Sequence, residues 1–207
     1  MSSEAKPDFI LKIVPLHTPR VYRNCKNCEK KREFYCSEKF RMNAHQKKLD
    51  VWLIYKCSVC DTTWNCTILT RVPPSKIAPE LYDKLQNNDK ETAWRYAFDY
   101  ELLKRNGAEP DPDVEYVVEN GVIDLFNLAQ RQVSIVITFD YRVNVRLDTL
   151  LSNKLPVSRK QLETLFDKKI IEVFPETIRD LKKKLKTETR VLIDLDKIKE
   201  PGITPDK

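Results

Sequence analysis

Four of the chain's six cysteines stand in two pairs, Cys25-Lys26-Asn27-Cys28 and Cys57-Ser58-Val59-Cys60. Two residues between the sulfurs let one tight turn aim both thiolates at a single ion. Two such turns supply the four ligands of a closed tetrahedral site. Zinc is the cofactor this set predicts, with Cys25, Cys28, Cys57 and Cys60 as its ligands. The pairing argues against a redox Cys-x-x-Cys and against four separate buried thiols. Cys36 and Cys66 fall outside the pairs and are expected to behave as small hydrophobes. His17 and His45 are not assigned to the metal, because four thiolates already close it.

The elements around the pairs must hold these turns. Val21 and Tyr22 lead into the first, and Phe34 and Tyr35 follow it. The run Val51-Trp52-Leu53-Ile54-Tyr55 leads into the second, and Trp64, Ile68 and Leu69 lead away. Apolar strands flanking two metal turns predict a zinc ribbon, whose own core is too small to hold it without the ion. The 28 residues between the pairs exceed the roughly 15–20 of the common spacing, so a long hairpin or loop is expected there. That segment interleaves Lys30, Lys31, Arg32, Lys39, Arg41, Lys47 and Lys48 with Phe34, Tyr35 and Phe40. Such a mixture suits phosphates and unstacked bases, and equally suits a solvated hairpin.

The 207 residues allow one large domain or two small ones, and the net charge of +6 is mildly basic. Three Gly against twelve Pro argue for stiff linkers and against Gly-rich phosphate loops. No apolar run reaches membrane-spanning length, and residues 1–7 lack the apolar core of a secretion signal. A cytoplasmic protein is expected, where a reducing medium favours metal over disulfides. No Ser-His-Asp set, phosphate loop or paired-carboxylate motif is legible, and two histidines leave little for acid–base work. The chain is therefore expected not to be an enzyme.

Further along, Phe9 to Val14 predicts a short strand. Pro79 at a first helical position predicts a helix over 79–86. Asn88-Asp89-Lys90-Glu91 has the form of a capping box, opening one helix that Asn106-Gly107 ends. Val114 to Val118 and Val133 to Phe139 are strand candidates, with a helical turn over 125–130. The expected division is a zinc-ribbon domain over 1–74, a helical connector over 75–110 and an α+β domain over 111–207.

Residues 146–173 carry the next pattern. Leu147, Leu150, Leu151 and Leu155 stripe a short helix that Pro156 breaks. Ser158 then caps a second helix, and Gln161 completes its capping box. Leu162, Leu165 and Phe166 form that helix's buried face, and a strand follows Lys168-Lys169. This leaves Arg146, Lys154, Arg159, Lys160, Lys168 and Lys169 to point outward toward phosphate, with the second helix's N-terminus adding backbone donors.

The order Arg146-Leu147-Asp148, spaced leucines, Ser158-Arg159, further leucines and a strand resembles the S-four RNA-binding domain, named after small-subunit ribosomal protein four. The resemblance implies a helix pair with a small sheet, and a grip on structured RNA through Arg146, Arg159 and Lys160. That family usually carries Gly before the strand, where Lys169 stands, and Val-Asn-Gly within it, where Glu172-Val173-Phe174 stands. Lys182 to Lys186 and Arg190 to Leu195 look like its closing strands.

A second resemblance spans residues 37–44, 49–57 and Thr63-Trp64-Asn65. These look like a bacterial family of about this size, catalogued as a domain of unknown function and carrying no stated activity. The expected fold class is α+β: N-terminal ribbon hairpins, central helices and a C-terminal S-four-like domain. The expected function is non-catalytic binding of structured RNA, with ribosomal RNA a candidate. A zinc-stabilised protein-interaction adaptor and a DNA-binding regulator are the alternatives.

Overall fold

The computed structural model describes residues 8–185 and 188–198. Mixed α+β structure is observed, with two five-stranded sheets and six α-helices among the described residues. The chain opens with β1 (Phe9–Pro15). Next come β2 (Val21–Cys25), β3 (Lys30–His45), β4 (Lys48–Cys57) and β5 (Thr63–Val72), a run of antiparallel hairpins. The long hairpin expected between the cysteine pairs is β3–β4. Gln46 and Lys47 turn it with positive φ at both positions, as a two-residue hairpin turn requires.

Helices α1 (Pro79–Gln86), α2 (Lys90–Ala97) and α3 (Tyr100–Arg105) follow. The single helix expected between Asn88 and Asn106 is two. Asp89, not Asn88, is the first cap, accepting from the Thr92 N–H at 2.8 Å. The Asp99 carboxylate accepts from the Leu102 N–H at 2.9 Å and starts a new helix. A side chain that offers the backbone a competing acceptor ends one helix and opens the next. Asn88 instead serves the sheet, its Oδ1 accepting from the Phe40 N–H at 2.7 Å, beside an irregularity in β3 between Cys36 and Phe40. Asn106 likewise exchanges two hydrogen bonds with the backbone of Thr67, of 2.8 and 3.1 Å, and so covers part of the free edge of β5. Gly107 takes φ +73 past the helix end, the conformation glycine adopts without strain. The stretch expected to be a linker carries β6 (Glu109–Pro110), which pairs with β2.

The rest comprises β7 (Tyr116–Glu119), β8 (Gln132–Phe139), α4 (Leu147–Lys154), α5 (Arg159–Asp167), β9 (Ile171–Phe174), β10 (Thr189–Asp194) and α6 (Leu195–Ile198). A 3-10 turn at Leu125–Asn127 stands where a helical turn was expected. The second sheet has the order β7-β1-β8-β10-β9, parallel only between β1 and β8. Its strands bury alternate residues, as β10 does with Thr189, Val191 and Ile193. Lys182–Leu185 is not a strand, although Lys184 bridges to Arg146, and Lys186 lies outside the described residues.

Contacts divide the chain into two compact units, one of residues Leu16–Glu115 and one joining β1 to the chain from Tyr116 onward. The expected boundaries after 74 and 110 are corrected by two packing facts. β1 pairs with β7 and β8 rather than with the ribbon. Ala93, Ala97, Leu102 and Leu103, from the expected connector, share one buried cluster with Cys25, Cys36 and Cys57. An amphipathic helix buries its apolar face wherever a complementary face lies open, and here that face is the ribbon sheet. Among the described residues no helix is long and apolar enough to cross a membrane.

Candidate metal centre and cationic helix pair

Cys25 closes β2 and Cys57 closes β4, so each strand delivers one sulfur and the turn after it delivers Cys28 or Cys60. The two turns share a further feature. Glu29 and Asp61, each just past the second cysteine of its pair, take φ +53 and +56. That left-handed residue reverses the chain tightly enough for β3 and β5 to return alongside. Ser58 ties the second turn to β3, donating from N and Oγ to the Glu33 carbonyl at 3.0 and 3.1 Å.

The four sulfurs lie within 4.8 Å of one another, and Cys25 Sγ and Cys60 Sγ are 3.5 Å apart. A tetrahedron with metal–sulfur bonds of about 2.3 Å has edges of about 3.8 Å. The four cysteines can therefore hold one metal ion. Cys25 and Cys57 are buried, while Cys28 and Cys60 are half-buried. The Thr62 hydroxyl, then its backbone, lowers the Cys60 thiol to about 5, whereas hydrogen bonding to Cys60, then burial, raises Cys28 to about 12.

Cys36 and Cys66 are buried in the core beneath the sheet, and burial raises both thiols to about 12. They behave as apolar residues, as expected. The aromatics of the basic segment separate by face. Phe34 is buried against Trp64, ring centroids 6.5 Å apart, and Phe40 packs on Tyr96. Neither is presented as a stacking surface. Arg23, which sequence reasoning missed, and Arg32, counted there only among the cations of the basic segment, stand opposite each other on the sheet face that carries Cys25. Strand alternation carried the signal, since Arg23 is two residues before Cys25.

In the second unit, Ser158 and Gln161 form the expected capping box, Ser158 N donating to Gln161 Oε1 at 2.7 Å and Gln161 N to Ser158 Oγ at 3.3 Å. Arg159, Lys160, Lys168 and Lys169 are exposed at the two ends of α5, and no carboxylate pairs with them among the described residues. Two of the residues expected to contact RNA have partners within the protein. Lys154 is committed inward, its Nζ donating to the carbonyls of Asn120 at 2.7 Å and Val118 at 3.3 Å. Arg146 is held by Asp148, so its charge is already neutralised. Asp148 is buried, and the sequence reading named it only within the Arg-Leu-Asp pattern, without a role; a polar side chain inside a leucine stripe was the signal of one. Burial raises its carboxyl, but the Arg146 guanidinium and the Thr149 N–H outweigh that and leave it lowered. Lys169, standing where the S-four resemblance places Gly, has φ +54.

Fold and site together define a two-unit α+β protein with a four-cysteine site able to hold a metal ion. The family described as protein of unknown function (DUF1062) matches residues 42–177, more than half of the chain, and the chain belongs to it. The matched span takes in Cys57, Cys60, α4 and α5. No curated protein and no solved structure matches the chain.

Proposed function

We propose that the chain is a non-catalytic RNA-binding protein in which zinc holds the N-terminal ribbon and the α4–α5 pair contacts RNA phosphates. The zinc reading rests on ligand chemistry. Four cysteine sulfurs in a closed cluster suit zinc, and leave no open coordination position for catalysis. The RNA reading is carried by the cations at both ends of α5, Arg159 with Lys160 and Lys168 with Lys169, which no carboxylate neutralises among the described residues. Lys168 and Lys169 also complement the negative end of the helix dipole, so a local electrostatic role accounts for part of their placement. The order α4, capped α5 and β9 supports the S-four reading, as does the left-handed backbone of Lys169, a conformation suited to the glycine that family carries there.

Gel-shift titration of the full chain against ribosomal RNA and a DNA duplex of matched length tests this. Four phosphate contacts predict an affinity loss of about 10²-fold between 50 and 200 mM salt. Arg159→Glu with Lys160→Glu is expected to abolish most RNA binding while the fold survives, since Ser158 and Gln161 still cap the helix. Equal affinity for both nucleic acids favours the DNA-binding alternative. No loss in the double variant favours the adaptor.

A further inference from the structure

Among the described residues β9 is an edge strand that pairs only with β10. The Asp194 N–H donates to the Ile170 carbonyl at 2.9 Å, with Ile193 opposite Ile171. That bond fixes the parity of the ladder. Glu172 and Phe174 turn their backbone groups toward β10, and Ile171 and Val173 turn theirs to the open edge. Ile171 is 1% exposed and Val173 6%, yet no group of the described residues meets their backbone on that side. Buried backbone donors and acceptors are nearly always paired, and one left unpaired is costly. Beside this edge lies a cavity of about 470 Å³ that both residues line, within the size range of small-ligand sites. Phe166 and Ile178 give it apolar walls. Two cations, Lys169 and Arg179, and three carboxylates, Asp167, Glu172 and Glu176, complete the lining. All five are exposed, and no ion pair engages any of them among the described residues.

We propose that this cavity takes an unstacked adenine or cytosine of bound RNA. The Ile171 carbonyl accepts from the base's amino group, and the Val173 N–H donates to the ring nitrogen beside it. The proposal rests on the reading of α5 as an RNA contact and adds a base preference to it. Two residues apart on one strand edge, that carbonyl and that N–H point the same way and ask for a donor next to an acceptor. Adenine and cytosine each set an amino donor next to a ring acceptor, and uracil has no amino group. The apolar walls suit the faces of a flat ring. Carboxylates at the rim serve a ligand that carries N–H donors, and a bare phosphate would be repelled by them. Lys169 belongs both to the cavity and to the cations at the end of α5, so a phosphate held there leads its own base inward. An extended peptide also pairs with a strand edge, but β9 offers it only two outward-facing residues, and the adjoining Lys168 and Lys169 favour a ligand joined to phosphate.

The full-length chain is titrated, by fluorescence anisotropy, against RNA hairpins of one stem whose loops are all adenine, all cytosine, all uracil or all purine, the last being adenine without its amino group. The adenine and cytosine loops are expected to bind about tenfold more tightly than uracil, the worth of one hydrogen bond. The purine loop should bind as uracil does. Ile178→Trp, which fills the cavity, is expected to bring every loop to the uracil value. Equal affinity for the four loops, or purine held as tightly as adenine, overturns the proposal while leaving α5 as an RNA contact. A preference that survives Ile178→Trp in a folded protein puts the base elsewhere and overturns it as well. Where that variant does not fold, the purine loop decides, since it changes the ligand alone. A wild-type chain that binds none of the hairpins overturns the RNA reading and this proposal together.

Discussion

Arg146 closes on Asp148 through two hydrogen bonds, Nε to Oδ1 at 3.1 Å and Nη2 to Oδ2 at 2.6 Å. The carboxylate also accepts from the Thr149 N–H at 2.7 Å, and the Asp148 N–H donates to the Leu181 carbonyl at 2.9 Å. The residue expected to lead RNA contact therefore organises the start of α4. Asp148→Ala is expected to destabilise the protein at pH 7 by about 1–2 kcal/mol, leaving the Thr149 donor unsatisfied at a buried site. The folded carboxyl is lowered, so its contribution is complete above the unfolded value of about 3.9 and is lost as pH falls through the folded one. Urea unfolding of both proteins should show the gap at pH 7 and its closure toward pH 2. A gap independent of pH would mean that the ion pair contributes nothing.

Metal removal should affect more than the ribbon. Ala93, Ala97, Leu102 and Leu103 are buried in the cluster that contains Cys25 and Cys57, so α2 and α3 depend on the packing the ion maintains. Chelation is expected to make residues 16–115 exchange amide hydrogens freely, while α4, α5 and β8–β10 remain protected. Hydrogen exchange read by mass spectrometry decides this. Protection retained over 90–105 would show that the helices hold without the centre.

Lys169→Gly should separate fold from function. A non-glycine residue in the left-handed region costs roughly 1 kcal/mol or more, so the variant is expected to melt higher. If Lys169 contacts phosphate, RNA affinity should fall in the same variant. Glu29→Gly, at the corresponding conformation beside Cys28, should raise stability without touching RNA affinity. A lower melting temperature in either would remove the strain argument.

Cys36 and Cys66 should resist alkylation in the folded protein at pH 8, because burial raises both thiols to about 12 and the thiolate is the reactive form. Cys36→Ala should keep one metal ion per chain and lose some stability through the small cavity left behind. Loss of the metal would show that Cys36 is a ligand.

Local rules were legible along the sequence. The two Cys-x-x-Cys turns, Pro79 opening α1, Gly107 ending α3 and the Ser158–Gln161 box each depend on a few neighbouring residues, and each is found where spacing placed it. Tertiary structure decided what no local window contains. It paired β1 with β8, more than a hundred residues on. It carried the helices over 79–105 onto the ribbon sheet, because amphipathic spacing defines an apolar face but not its partner. It turned Lys154 inward, since a lysine's reach lets it serve any carbonyl within several ångströms. It also set Arg23 opposite Arg32 on the sheet face that carries Cys25, since register, not composition, determines which charges meet.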